Sequence, residues 1–153
     1  MTAPRLAMTI PPGFTALPSE NVPGDGTVLF HGGLRAELED RTSAASLTVT
    51  THHTSESVDV SELAAQLSNH NGASVPTEVV PVPLGMAVVS FHTQEFTTTE
   101  QTQHTVASIR AAIPLNDANQ ILSLVLATPS IEDWTSYCRL MIGTLKSLRI
   151  AAD

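Results

Sequence analysis

Two periodicities alternate along the chain. Over residues 45–52 apolar and polar positions exchange one for one, Ala45, Leu47 and Val49 against Ser46, Thr48 and Thr50. Successive side chains of a strand point to opposite faces, so this is the pattern of a half-buried strand rich in β-branched residues. Residues 59–71 switch to steps of three and four, which set Val60, Leu63, Ala64 and Leu67 on one face of a helix. Asp59 with Glu62 makes a capping-box-like start, and Asn71-Gly72 a left-handed stop. The longest helical pattern closes the chain over 130–148, where Ile131, Trp134, Cys138, Met141, Ile142, Leu145 and Leu148 fall on one stripe. Ser130 stands at the N-cap position. Glu132 and Asp133 place negative charge at the positive helix end, and Lys146 and Arg149 suit the other end. Trp134, the only tryptophan, is expected to anchor this helix against a sheet.

The remaining segments read as strands and turns. Residues 5–10 and 14–17 predict a short strand broken by Pro11-Pro12-Gly13, and 19–27 a loop. Residues 28–30 predict a short strand closed by Gly32-Gly33, followed by a loop or single turn over 34–42. Residues 75–80 lead into a turn region where Pro81 and Pro83 forbid a central strand. Residues 86–96 and 104–113 pair as a hairpin with its tip near Thr99, and Asn116-Asp117 marks the next turn. QILSLVLAT, at 120–128, is apolar enough for a central strand, and Pro129 closes it. Consecutive strands with short links favour antiparallel neighbours. The order predicts an α+β domain over residues 1–153, with helices packed on an antiparallel sheet.

Composition narrows the function classes. At 153 residues the chain is long enough to bury a core without disulfides or metals. Only 14% of residues are charged, so Thr, Ser, Gln and Asn must supply much of the polar surface. Seven basic against fifteen acidic residues give a net charge of −8, and the basic ones are scattered, which argues against nucleic acid as a partner. The lone Cys138 has nothing to pair with and reads as a small buried hydrophobe. The N-terminus has no secretory pattern and no eighteen apolar residues run together, so the expectation is a cytoplasmic protein without a membrane span.

The most suggestive chemistry lies on the 86–113 hairpin. His92 and His104 share a face, roughly diagonal to each other, and Ser90, Gln94, Ser108 and Arg110 have the same parity. That face is a candidate polar binding surface. A metal site needs three or four ligands, and no cysteine or carboxylate of matching parity completes the set, since Glu95 points the other way. His52 and His53, with Glu56 nearby, are adjacent and cannot chelate one ion from within a strand, which favours a strand end there. No nucleophile elbow, Ser-His-Asp layout or phosphate-binding glycine loop occurs. Glu37, Glu39 and Asp40 read as a solvated charged loop. Neither an enzyme nor a cofactor is expected.

Taken in order, several motifs resemble the PsbP-like fold, and more narrowly the actinobacterial LpqN/LpqT-like lipoproteins. They are IPPGF at 10–14, ASLTVT at 45–50, VDVSELAAQL at 58–67 and LGMAVVSF at 84–91. A long polar-tipped hairpin follows, then a strand ending ATP runs into IEDW, and the chain closes on KSLRI at 146–150. The resemblance implies a central antiparallel sheet flanked by helices, acting as a binding or assembly module. Its relatives include an extrinsic subunit of photosystem II, a nuclear factor that binds the Ran GTPase, and chaperones that load secretion-system effectors. It carries no catalytic residues over, and the sequence departs from the lipoprotein pattern, which opens on a leader and an acylated cysteine, so an envelope location is not expected. The expectation is a non-enzymatic accessory or chaperone-like protein that binds another protein through a sheet face or the groove beside the sheet. A chaperone would show a continuous exposed apolar patch on the sheet. The alternative is a small-molecule binder or cryptic enzyme with a pocket between the sheet and loop 19–44, rimmed by His92, His104 or Arg110. A homodimer is the third arrangement such a face allows.

Overall fold

The computed structural model describes residues 6–18, 26–70, 73–97, 99–101, 103–115 and 119–150. In chain order the elements are β1 (Leu6–Ala7), β2 (Phe14–Ala16), β3 (Thr27–Glu37), β4 (Thr42–His53), α1 (Val60–Leu67), β5 (Asn69–His70) and β6 (Ala73–Ser74). Then come β7 (Thr77–Val82), β8 (Gly85–Thr97), β9 (Gln103–Leu115), β10 (Gln120–Thr128), α2 (Trp134–Ser147) and β11 (Arg149–Ile150). Seven strands form one antiparallel sheet in the order β2-β3-β4-β10-β9-β8-β7. The architecture is α+β, as the order of periodicities predicts. β10 lies fourth of seven, the central position its apolar run implies, and β7, with Pro81, is the edge strand that proline permits. β1 and β11 pair apart from this sheet and bring the two ends of the described chain together.

The sheet has two unlike faces. On one, Leu47, Val49, Ile109, Ile113, Leu122, Leu124 and Leu126 are buried beneath Tyr137, Met141, Leu145 and Leu148. Each such leucine or isoleucine withdrawn from water contributes about 1.5–3 kcal/mol, so this layer is the main source of cohesion. On the other face, α1 covers only one end. Leu63 and the partly buried Val60, Ala64 and Leu67 pack on Val88, Ala112 and Ile121.

The region 28–42 differs from the sequence expectation. β3 runs straight through Gly32 and Gly33 to Glu37 and turns directly into β4. Between Val28 and Phe30 its register to β4 shifts, with Leu29 as the extra residue. This bulge moves Val28 and Phe30 onto opposite faces and hides the alternation that would mark a long strand. The glycines do not end the strand but let β2 approach it. A Cβ on Gly32 would stand 2.4 Å from the Phe30 ring and 3.0 Å from the Thr15 carbonyl oxygen. At the other end β4 extends to His53, so His52 and His53 are both strand residues rather than a loop end.

Both helices start differently from expectation. Asp59 caps α1 by accepting from the Ser61 amide at 2.7 Å, but Glu62 makes no reciprocal bond among the described residues. The helix ends at Leu67 with Ser68 as its C-cap; Asn71-Gly72 and Asn116-Asp117 lie outside the described residues. The final helix begins with a 3-10 turn (Ile131–Asp133), and Ile131 is 41% exposed rather than on the buried stripe. The Ser130 hydroxyl makes no cap bond. It accepts from the Ala44 amide at 2.9 Å and so pins the helix start to β4. The Arg41 guanidinium, donating to Asp133, reinforces the junction and holds that carboxyl below its usual range. Trp134 packs against the core and meets Phe91 edge-on, ring centroids 6.5 Å apart, the anchoring role expected of it. Cys138 is half-buried against the same core, and burial pushes its thiol pKa up.

Candidate functional sites on the sheet

The register places Ser90, His92, Gln94, His104, Ser108 and Arg110 on one face, the one α1 covers only in part. Ser90 is opposite Arg110, and His92 is opposite Ser108, with Ser108 Oγ 2.9 Å from His92 Nδ1. The hairpin turns one residue later than the sequence suggests, so His104 pairs with Phe96. His92 and His104 are therefore four strand residues apart, about 13 Å, and not diagonal neighbours. Ser90 and Ser108 are buried, whereas Gln94, His104 and Arg110 are exposed. No group of three His, Cys, Asp or Glu among the described residues is placed to hold a metal ion.

Neighbouring strands extend this polar face. β4 contributes Thr48, Thr50 and His52, β3 contributes His31, and β10 contributes Ser123 and Val125. The imidazoles share hydrogen bonds with hydroxyls, His31 Nδ1 with Thr48 Oγ1 at 3.0 Å and His52 Nε2 with Thr50 Oγ1 at 3.2 Å. Beyond the end of α1 the face opens into a groove of about 390 Å³ lined by Gly26, Val28, Thr48, Thr50, Leu67 and Arg110, among others. Gly26 lets the chain close over His52; a Cβ there would lie 2.5 Å from the ring. Of the rim residues expected from sequence, Arg110 lines this groove and His92 and His104 do not. From the 19–44 stretch Gly26 and Val28 line it, with 27–37 forming strand β3 rather than loop, and Leu67 at the end of α1 faces them; residues 19–25 lie outside the described residues.

A second groove, of about 410 Å³, opens at the sheet edge between Val75, Pro76, Phe91, His92, Thr93 and Trp134. Sequence reasoning does not find it, because it depends on where β7 stops. β7 pairs with β8 from Val82↔Gly85 to Thr77↔Ser90, and the last bond across that edge runs from the Phe91 amide to the Pro76 carbonyl at 3.1 Å. β8 continues to Thr97. Antiparallel strands turn alternate backbone groups to each side, so Thr93, Glu95 and Thr97 aim theirs outward past the end of β7, with no backbone partner there among the described residues.

Among the described residues, the exposed large apolar side chains that share the parity of the polar face are Val79 and Met86, at the β7–β8 end. The others (Ile10, Leu17, Leu29, Leu38, Ile131) fall in loops, at the β3 bulge and in the 3-10 turn before α2. Among the described residues no helix is long and apolar enough to cross a membrane. No protein-family model matches the chain, and no curated protein matches it.

Proposed function

We propose that the chain is a non-enzymatic protein-binding module that takes up an extended segment of a partner protein by strand addition along the outer edge of β8. The observation that carries this is the run of outward backbone groups at Thr93, Glu95 and Thr97, beside a groove lined by Phe91 and Trp134. An unpaired edge is a template for another strand, and proteins that avoid such pairing shield it with proline, lysine, a bulge or a covering segment. β7 has proline at 81, but β8 from 93 to 97 has neither proline nor lysine. Backbone pairing there supplies affinity, and an apolar side chain in the Phe91–Trp134 groove supplies selectivity. Glu78, Glu95 and Glu100 stand exposed at this end of the sheet, so the segment taken up is one with basic residues beside its apolar anchor. This role agrees with what the PsbP-like resemblance implies.

The test is site-directed photocrosslinking from position 93 in the native lysate, with the crosslinked peptide identified by mass spectrometry. One partner segment, captured by the wild-type edge and lost in Glu95→Pro, is the expected result. Proline at 95 removes one outward amide and leaves the bonds to β9 intact, so circular dichroism and melting temperature stay close to wild type. Capture that survives Glu95→Pro, or a crosslink only to a second copy of this chain, contradicts the proposal.

A further inference from the structure

We propose a second, independent site: the groove over β4, β10 and β9 binds a small organic anion, its charged group held by Arg110 and its apolar part laid over Val28, Leu67 and Val125. The chain as a whole is strongly acidic, at −8, yet this face is not. Among the described residues, the strands of the main sheet project one carboxylate onto it, Glu37, against two guanidiniums, Arg35 and Arg110, and four imidazoles, His31, His52, His92 and His104. Glu37 sits at the far corner and is already committed. Thr42 Oγ1 donates to it at 2.8 Å and Arg35 Nε at 3.1 Å, and together they hold its carboxyl below the usual range. That pair cancels, and Arg110 is left as the uncompensated charge among the sheet's own residues on this face. The acids of α1, Asp59 at its N-cap and Glu62 in its first turn, stand away from the Leu67 end that lines the groove.

Arg110 has no hydrogen-bond or ion-pair partner among the described residues. Its strand neighbours explain why. It stands between Ser90 on β8 and Val125 on β10, with Ser108 and Ala112 two residues away along β9, so no acid is within reach on the sheet. A guanidinium presents five donors in a planar fork suited to a carboxylate, sulfonate or phosphate. Around it the groove offers hydroxyls from Thr48, Thr50 and Ser123 and apolar surface from Val28, Leu67 and Val125. The volume, about 390 Å³, falls in the range of small-molecule sites. A ligand with one anionic end and a compact apolar body satisfies both halves of this lining; a neutral or cationic one leaves Arg110 unmatched.

The test uses two fluorescent probes with the same rings, 8-anilinonaphthalene-1-sulfonate and the uncharged N-phenyl-1-naphthylamine, titrated into the intact chain. The sulfonate is expected to bind saturably, one per chain, and the neutral probe at least tenfold more weakly. Arg110→Met keeps the aliphatic stem and removes the charge, and should weaken the sulfonate about tenfold or more while leaving the neutral probe unmoved. Arg35→Met, on the same face but outside the groove, should leave both unchanged. Amide shifts on a ¹⁵N-labelled sample should move at Thr48, Thr50, Arg110 and Ser123. Equal affinity for both probes, equal sulfonate binding by Arg110→Met, or shifts confined to the Phe91–Trp134 groove would overturn the proposal. The Arg110→Met and probe-affinity outcomes do not bear on strand addition at β8.

Discussion

The hydroxyl of Tyr137 lies 2.6 Å from Ser43 Oγ, with both residues about 5% exposed. The bond satisfies the buried Tyr137 hydroxyl and fastens α2 to the start of β4, and Ser43 also supports the Asp133 carboxylate. Tyr137→Phe should therefore cost about 0.5–1.5 kcal/mol, because it removes a buried hydrogen bond and leaves the Ser43 hydroxyl only the Asp133 carboxylate as partner. Urea denaturation with an unchanged m-value would show it, and a loss under about 0.3 kcal/mol would mean the site admits water. The same junction uses Thr128 Oγ1, which donates to the Ala44 carbonyl and accepts from the Ser130 amide. These polar residues are invisible to a hydrophobic period: the stripe read from sequence passes over Tyr137 and Thr144, both buried, and includes Ile131, which is not. Periodicity finds the face of a helix but not the hydrogen bonds that fix its end.

At the scale of elements, glycine has opposite meanings in β3 and α2. Gly32 is where the Phe30 ring and β2 close in, so Gly32→Ala forces the aromatic ring and a backbone to move and should cost about 1–3 kcal/mol. Gly143 is exposed in the middle of α2 with nothing within 4 Å of a built Cβ, so Gly143→Ala should stabilise by about 0.5–1 kcal/mol. Thermal melts of the two variants should move in opposite directions; a shift of the same sign in both would contradict the packing at one of them. The pair also shows why some elements were legible and others not. β4 alternates strictly from Thr42 to Thr50, and β10 is a largely apolar run, and the positions of both strands follow from those patterns. β3 contains a bulge and two glycines, each a signal of an ending when read locally. Only β2, paired beside Gly32 and Gly33, reveals them as a close approach.

On the scale of the whole molecule, the sheet divides its labour by face and by edge. One face is spent on cohesion with α2, the other carries hydroxyls, imidazoles and Arg110, and the β8 edge carries outward backbone groups with no backbone partner among the described residues. The shared parity of Ser90, His92, Gln94, His104, Ser108 and Arg110 was readable because it needs only an even sum across the hairpin, which survived the one-residue change in the turn. The two grooves were not readable. One requires α1 to stop at Leu67, and the other requires β7 to end before β8 does. Neither length is written in the strand it exposes.

The edge is the centre of the functional account, and amide hydrogen exchange along β8 tests it most directly, measured by NMR on the free protein and again with the captured partner segment. Gln94 and Phe96 turn their amides to β9 and should exchange slowly in both samples. Thr93, Glu95 and Thr97 turn theirs outward and should exchange much faster in the free protein, then become protected when the segment binds. Uniform protection from 93 to 97 in the free chain, or outward amides that stay fast in the complex, would contradict strand addition at this edge.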